Sequence, residues 1–263
     1  MNDDLNPNFI ALLTDFGVRD YFVGAMKGAI LTINPNARIV DITHEIEPQN
    51  VAAASFTLRA CYKNFPVKTI FVAVVDPGVG SNRKAILVET EDYFFIAPDN
   101  GLLSFVFDEE KNRLVFELTN EKFFARNIGA TFHGRDVFAP AAAHLSKGIA
   151  PDSFGERTKN YVRLRENKPH RISNDEIEAE IIHADRFGNL ITNLTAADLP
   201  EHFTVKINET TISRRRSFFA EADANEVFMI IGSAGFLEIA AFRDSAKRLL
   251  NAEVGQKIIV TNS

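Results

Sequence analysis

Four aspartates directly follow apolar runs: Asp15 in "FIALLTDFG", Asp41 in "ARIVDITH", Asp76 in "TIFVAVVDPGVG" and Asp99 in "YFFIAPDNG". A further stretch, "TFHGRDVFAP" at 131–140, sets His133, Arg135 and Asp136 within four positions, just ahead of an alanine-rich run. Carboxylates accept protons or hydroxyl hydrogen bonds, an imidazole moves a proton near neutral pH, and a guanidinium stabilises negative charge. Each aspartate alone is ordinary turn chemistry, since Asp before Gly or Pro is common there; for Asp41 that reading is kept. Four at strand ends are expected to converge if their strands are parallel, because the carboxyl edge of an open α/β sheet lines its ligand crevice.

The elements needed to position these groups are legible. Between residues 9 and about 150, apolar runs alternate with helical patterns. The strand "FIALLTD" precedes the helix "YFVGAMKGAILTIN", and "ARIVDITH" precedes "NVAAASFTLRACYKNF". "TIFVAVVD" is unbroken by polar residues, as a strand buried on both faces should be. "KAILVET" and "YFFIAPDNG" flank a short "EDY" connection and predict a hairpin. The helix "VFAPAAAHLSKG" ends at Gly148. Such alternation predicts an α/β layer structure with a largely parallel sheet, over residues 1–165. The polar segment 151–176 reads as a linker or edge piece. Beyond it, "IEAEIIHAD", "NLITNL", "FTVKINETTISRRRSF", "EVFMIIGSAG", "FLEIAAF" and "QKIIVTN" predict a smaller, mainly antiparallel β domain over 175–263, with one short helix, "SAKRLLN".

Composition narrows the function. The formal net charge of −6 gives no basic footprint for nucleic acid, and Arg214-Arg215-Arg216 reads as a solvated strand end. A single cysteine, Cys61, excludes an intrachain disulfide and a multi-cysteine metal site, and fits a small buried residue in a reducing compartment. The start, "MNDDLNPN", carries no apolar leader pattern, and no apolar run is long enough to span a bilayer. A cytoplasmic protein is expected.

Several local patterns have two readings. The glycines of "DPGVG" permit a tight turn and a close approach to the backbone. A phosphate cradle is the weaker alternative, since neither GxxxxGK[ST] nor a complete GxGxxG is present. Asp15, Asp76, Asp99, His133 and Asp136 are chemically suited to ligate a metal, but no HExxH or paired-histidine spacing supports that, and no metal is expected. In "DRFGNLITNL", Phe187 offers a face for a flat heterocycle while Asn189 donates and accepts on its edge, which suits adenine; a β-turn with a core phenylalanine is the alternative. "GSAGFLEIA" brackets Ser233 with glycines, consistent with carboxylate binding or with an ordinary hairpin.

In this order, TDFG, YFVGAMKG, DITH, VVDPGVG, APDNG, TFHGRDVFAP, RFGNLITN and GSAGFLEIA resemble the S-adenosyl-L-methionine hydroxide adenosyltransferases, hydrolytic relatives of the fluorinases and chlorinases. The resemblance runs from residue 14 to about 241. It implies cleavage of S-adenosyl-L-methionine by water at ribose C5′, giving adenosine and L-methionine, with no cofactor beyond the substrate. It also implies a homotrimer with active sites between the N-terminal domain of one subunit and the C-terminal domain of the next. The family's catalytic Asp, Arg and His correspond to Asp76, Arg83 of "GSNRK" and His133; Arg135 and Asp136 would then cap and pair at the following helix. The resemblance further places Asp15 on the ribose diol, Asp20 near the methionine ammonium, Phe187 and Asn189 on adenine and Ser233 on the methionine carboxylate. Glu238 is a further, lesser ligand.

Two other functions fit the same scaffold. A halogenase would set a halide where Asp76 puts a negative charge, and like charges ~4 Å apart repel by several kcal/mol at an intermediate dielectric. Here Gly134 follows His133 where a fluorinase has serine, and Ala234 follows Ser233 where it has arginine. A non-catalytic sensor of adenosine or S-adenosyl-L-methionine would keep Asp15, Phe187 and Asn189 but have no use for Arg83 and His133.

Overall fold

A computed structural model of the chain describes residues 9–165 and 167–262; the acidic start lies outside them. The chain divides into two compact units, Met1–Leu164 and Arg165–Ser263.

The first unit is built on strands β1 (Phe9–Thr14), β2 (Arg38–Thr43), β3 (Ile70–Val74), β4 (Ala85–Thr90), β5 (Phe94–Pro98) and β6 (Arg113–Glu117), in sheet order β2-β1-β3-β5-β4-β6. β2, β1, β3 and β5 run parallel, while β4 is antiparallel to β5 and β6. The predicted hairpin is the β4–β5 pair. Helix α1 (Phe22–Ile33) covers one face with α4 (Ala139–Leu145), and α2 (Val51–Cys61) covers the other with α3 (Ser104–Glu109). Alternate strand residues serve opposite faces: Ile10, Leu12, Val72 and Val74 pack towards α1, and Ala11, Leu13, Phe71 and Ala73 towards α2. That is why these strands read as unbroken apolar runs.

The connection through α1 leaves β1 in one direction and the connection through α2 returns on the other side to β3. The sheet therefore has a topological switch point between β1 and β3, where open α/β sheets bind ligands. Asp15 follows β1 and Asp76 lies two residues beyond β3.

The polar segment expected as a linker is partly absorbed into this unit. Thr158 N–H donates to Val115 O, Val162 N–H to Asp99 Oδ1, and Tyr161 stacks on Phe107 at 4.0 Å between centroids.

The second unit comprises β7 (His170–Arg171), β8 (Glu176–Ala184), β9 (Leu190–Thr195), β10 (Phe203–Ile207), β11 (Thr210–Ile212), β12 (Val227–Ile231), β13 (Phe236–Ala241), helix α5 (Ala246–Leu250) and β14 (Lys257–Asn262). Its ladders are antiparallel, in order β11-β10-β14-β8-β9-β13-β12, with β7 against β8. A bridge between Arg215 and Met229 brings the chain after β11 alongside β12, so the sheet curls almost to closure around one core. Arg214 and Arg215 are exposed as expected of a strand end, whereas Arg216 is half-buried and paired with Glu226 at 2.6 Å.

Candidate active site

The tightest group of ionisable side chains lies just beyond β3. Arg83 donates through Nε to both oxygens of Asp76, at 2.9 and 3.0 Å, and through Nη2 to Asp76 Oδ2. The same Nη2 lies 2.8 Å from His133 Nδ1. The side chains of Asp76 and Arg83 are 5% and 11% exposed, so the pair sits in a partly dry setting where charge-assisted bonds are strong.

Local sequence explains how they meet. After β3 the chain reverses through "DPGVGSNR", with Val79 N–H donating to Asp76 O and Ser81 N–H to Gly78 O. Gly80 has φ +78°, and a Cβ there would overlap Ala130 O. Glycine is thus required where the turn seats on the segment ahead of His133. Asn100, in "APDNG", donates through Nδ2 to Val75 O at 2.8 Å and steadies the strand end that carries Asp76. Beneath Arg83 lies the fully buried Phe138 ring, 5.3 Å from the guanidinium carbon, a cation–π support.

His133 precedes a π-helical turn, Gly134–Phe138, that runs into α4. The sequence pattern starts this helix at Val137; the structure starts it three residues earlier and widens its first turn. Pro140 has no N–H to offer Asp136 O, which accepts from Ala125 N–H instead, while Ala139 N–H reaches back five residues to Gly134 O. Arg135 and Asp136 pair as expected, through Nε and Oδ1 at 2.6 Å. Asp136 does not cap the helix. It is 1% exposed, and its Oδ2 accepts from Gly129 N–H, tying down the preceding loop.

Arginine has only donors, so His133 Nδ1 accepts from Arg83 and the ring proton resides on Nε2. Burial, followed by the adjacent Arg83 charge, holds His133 below the usual histidine range, against the opposing pull of Asp76 and Asp136. The ring is therefore mainly neutral at pH 7, and its Nε2–H has no acceptor among the described residues.

Asp15 leads the loop after β1. Its Oδ2 accepts from Gln49 N–H at 2.8 Å, and Gln49 has the left-handed φ of +66° that few non-glycine residues adopt. Gly17 N–H donates to His44 O. His44 is itself buried, with Nδ1 2.9 Å from Thr14 Oγ1 and Nε2 3.1 Å from Asp41 Oδ1. The "DITH" stretch thus props the Asp15 loop from below. Asp20 is exposed on that loop.

Of the four strand-end aspartates, two leave the site. Asp41 pairs with Lys27 and His44, and Asp99 is buried as the acceptor for Val162 N–H. Among the described residues, no group of three His, Cys, Asp or Glu side chains is arranged to hold a metal ion.

In the second unit, Asp185–Asn189 forms the β8–β9 turn. Gly188 has φ +82°, and a Cβ there would overlap Ser245 Oγ. Phe187 is 76% exposed, so it is not the core phenylalanine of an ordinary turn. Asn189 is 5% exposed, and its Nδ2 donates to Asp185 Oδ2 at 2.8 Å. Ser233 is exposed in the β12–β13 turn. Glu238 on β13 lies against Gly232, where a Cβ would overlap its carboxylate. Burial, then the Asp185 charge, holds Glu238 above the usual carboxylate range.

Sequence reasoning passed over Gln49, Asn100, Phe138 and Asp185. Asn100 had a signal, since the residue after Asp99 in a strand-end turn commonly bonds local backbone. Gln49 and Phe138 are recognisable only through distant partners, and Asp185 only through the side-chain directions of its own turn.

The fold and these side chains define an α/β protein with a sheet switch point between β1 and β3 and a half-buried Asp–Arg–His cluster at the end of β3. Residues 10–155 match the SAM hydroxide adenosyltransferase N-terminal domain, and residues 179–259 match its C-terminal domain. The chain belongs to that family. It is 36% identical to an (R)-S-adenosyl-L-methionine hydrolase of Methanocaldococcus jannaschii, over 96% of this chain and 95% of that protein. To the enzyme of the same name from Thermus thermophilus it is 34% identical, over 95% of this chain and 98% of the other. A crystal structure of a conserved protein from Thermotoga maritima superposes with a TM-score of 0.90 at 38% identity, covering 96% of this chain and 100% of that one.

Proposed function

We propose that this protein hydrolyses S-adenosyl-L-methionine at ribose C5′, releasing adenosine and L-methionine. The observation that carries the reading is the hydrogen-bonded, half-buried Asp76–Arg83–His133 cluster at the carboxyl edge of β3, in a chain of this family. The leaving group is a sulfonium, so the C5′–S electron pair neutralises sulfur and methionine departs as a thioether without a general acid. The demand falls on the nucleophile. Water oxygen forms the new bond to C5′ while one of its protons must leave.

Asp76 is the proton acceptor in this reading, because His133 Nδ1 is occupied by Arg83 and its Nε2 carries a proton. His133 Nε2–H and the Arg83 guanidinium supply donor and positive charge towards developing hydroxide, preorganised by their own hydrogen bonds. A halide fits this setting badly. Asp76 brings negative charge, and a Cβ on Gly134 would already stand 3.1–3.2 Å from Phe132, Met26 and Phe16.

Asp15 holds the ribose diol with the lone pairs that Gln49 leaves free, and Asp20 faces the methionine ammonium. Phe187 and Asn189 take adenine, Ser233 the methionine carboxylate, and Glu238 lies beside Ser233's turn as a lesser contact. No metal or cofactor enters the step. The assembly is a homotrimer in which these two sets of ligands come from neighbouring subunits, and the compartment is the cytoplasm, in keeping with the lone Cys61.

The test is incubation of chelator-treated protein with S-adenosyl-L-methionine in halide-free buffer, with chromatographic detection of adenosine and methionine. Equal amounts of both above the enzyme-free control are expected. Absence of both would overturn the reading and leave a nucleoside-binding protein.

A further inference from the structure

Asn189 is buried as a residue yet keeps hydrogen-bonding capacity open. Its backbone N–H and Phe187 N–H both donate to Asp185 Oδ1 at 2.9 Å, and its side-chain Nδ2 donates to Asp185 Oδ2 at 2.8 Å. Its Oδ1 accepts no hydrogen bond among the described residues, and it is not among the polar atoms sealed from solvent. One Nδ2–H is also left over. The turn is rigid. Asp185 N–H donates to Asn189 O, Gly188 N–H to Asp185 O, and Lys247 N–H to Gly188 O.

A carboxylate only accepts. Asp185 therefore dictates which end of the Asn189 amide faces it: the NH2 must, and the carbonyl oxygen must not. The two ends of an asparagine amide are nearly the same in shape, so without Asp185 the group could serve either way round. We infer that Asp185 is a positioning residue that locks the Asn189 amide in the orientation selecting a 6-aminopurine over a 6-oxopurine. The inference rests on the adenine reading of Asn189. In the locked state Oδ1 accepts from the exocyclic amine and the remaining Nδ2–H donates to N7, the bidentate pairing that adenine's edge supports. A 6-oxo group would set acceptor against acceptor.

Asp185→Asn makes the sharpest test because it keeps the shape and reverses the instruction. Its Oδ1 still accepts the two backbone N–H groups, while the new NH2 faces Asn189 and turns that amide round. Calorimetric affinities for adenosine and inosine are the readout. The unsubstituted protein should favour adenosine by about a hundredfold, the discrimination expected when a site built for one hydrogen-bonding group meets its opposite. In Asp185→Asn the ratio should fall by about tenfold or more; a merely structural role would weaken both nucleosides equally and leave the ratio unchanged. An unchanged ratio overturns the inference. Asp185→Ser retains an acceptor for the turn but none for the amide, and serves if the asparagine variant does not fold; its ratio should fall likewise. Asn189→Ala separates the two levels. If it abolishes discrimination while Asp185→Asn does not, only the lock fails. If it too preserves the ratio, Asn189 does not read the purine edge and the adenine assignment fails with it.

Discussion

The Asp76–Arg83–His133 cluster and the Asp185–Asn189 turn are each led by an aspartate that follows a strand, β3 and β8, yet they handle polar groups in opposite ways. The cluster spends its charges internally. Arg83 bonds both oxygens of Asp76 and reaches His133, and the side chains of the ion pair are nearly buried. The turn keeps its reactive surface outward, with Phe187 exposed and Asn189 Oδ1 open, while Asp185 absorbs the local N–H groups. Groups that move a proton must be held in a preset electrostatic arrangement before substrate arrives. Groups that recognise a ligand must leave bonds unmade for it, and neighbours such as Asp185 hold them in place.

The heaviest blow to this contrast is Arg83→Ala. It leaves Asp76 buried without its partner and releases His133, so turnover should fall about a thousandfold and stability by about 3 kcal/mol. Single-turnover kinetics and a denaturant melt read the two effects, and near-normal values in both would show that the cluster is not the catalytic centre.

His133→Ala should slow turnover about a hundredfold while adenosine affinity stays largely intact. Its pH dependence adds a sign. Burial and the Arg83 charge hold the ring below the usual histidine range, so the neutral form still predominates at pH ~6.5 and the midpoint of protonation lies lower. Protonated Nδ1 would confront Arg83 donor to donor, so kcat/KM should have an acid limb centred below ~6.5 that the alanine variant lacks. A limb centred above that value would contradict the electrostatics described.

On the recognition side, Phe187→Ala should raise the adenosine Kd about tenfold, the worth of one aromatic stacking partner, with saturated turnover almost unchanged. A loss of kcat with constant Kd would erase the division of labour between the two regions. The smallest effect belongs to Phe138→Leu, which removes the ring beneath Arg83. About 1 kcal/mol of cation–π support is lost, and turnover should drop several-fold without a change in adenosine affinity.

Much of this architecture is visible in the chain. The apolar runs and helical patterns place β1, β3 and the β4–β5 hairpin close to where they form, because strands buried on two faces cannot alternate. Resemblance supplied Arg83, whose own neighbourhood, "GSNRK", has no distinguishing pattern. The four strand-end aspartates show the limit. Asp15, Asp41, Asp76 and Asp99 share one local signature, but Lys27 and His44 take Asp41, and the backbone of Val162 takes Asp99. The π turn escaped as well, since its cause is a conjunction. Pro140 withholds an N–H, and Ala125, fifteen residues earlier, fills the vacated carbonyl of Asp136.

The sequence by itself determined the layer architecture, the strand ends that bear carboxylates and the turns that need glycine, because periodicity and backbone sterics act over a few residues. Tertiary structure alone decided which carboxylate would be paired with a catalytic arginine, which histidine nitrogen would carry the proton, and which way an asparagine amide would face. Those outcomes depend on hydrogen-bond partners brought to within 3 Å across tens of residues, or across a tight turn whose side-chain directions no local pattern encodes.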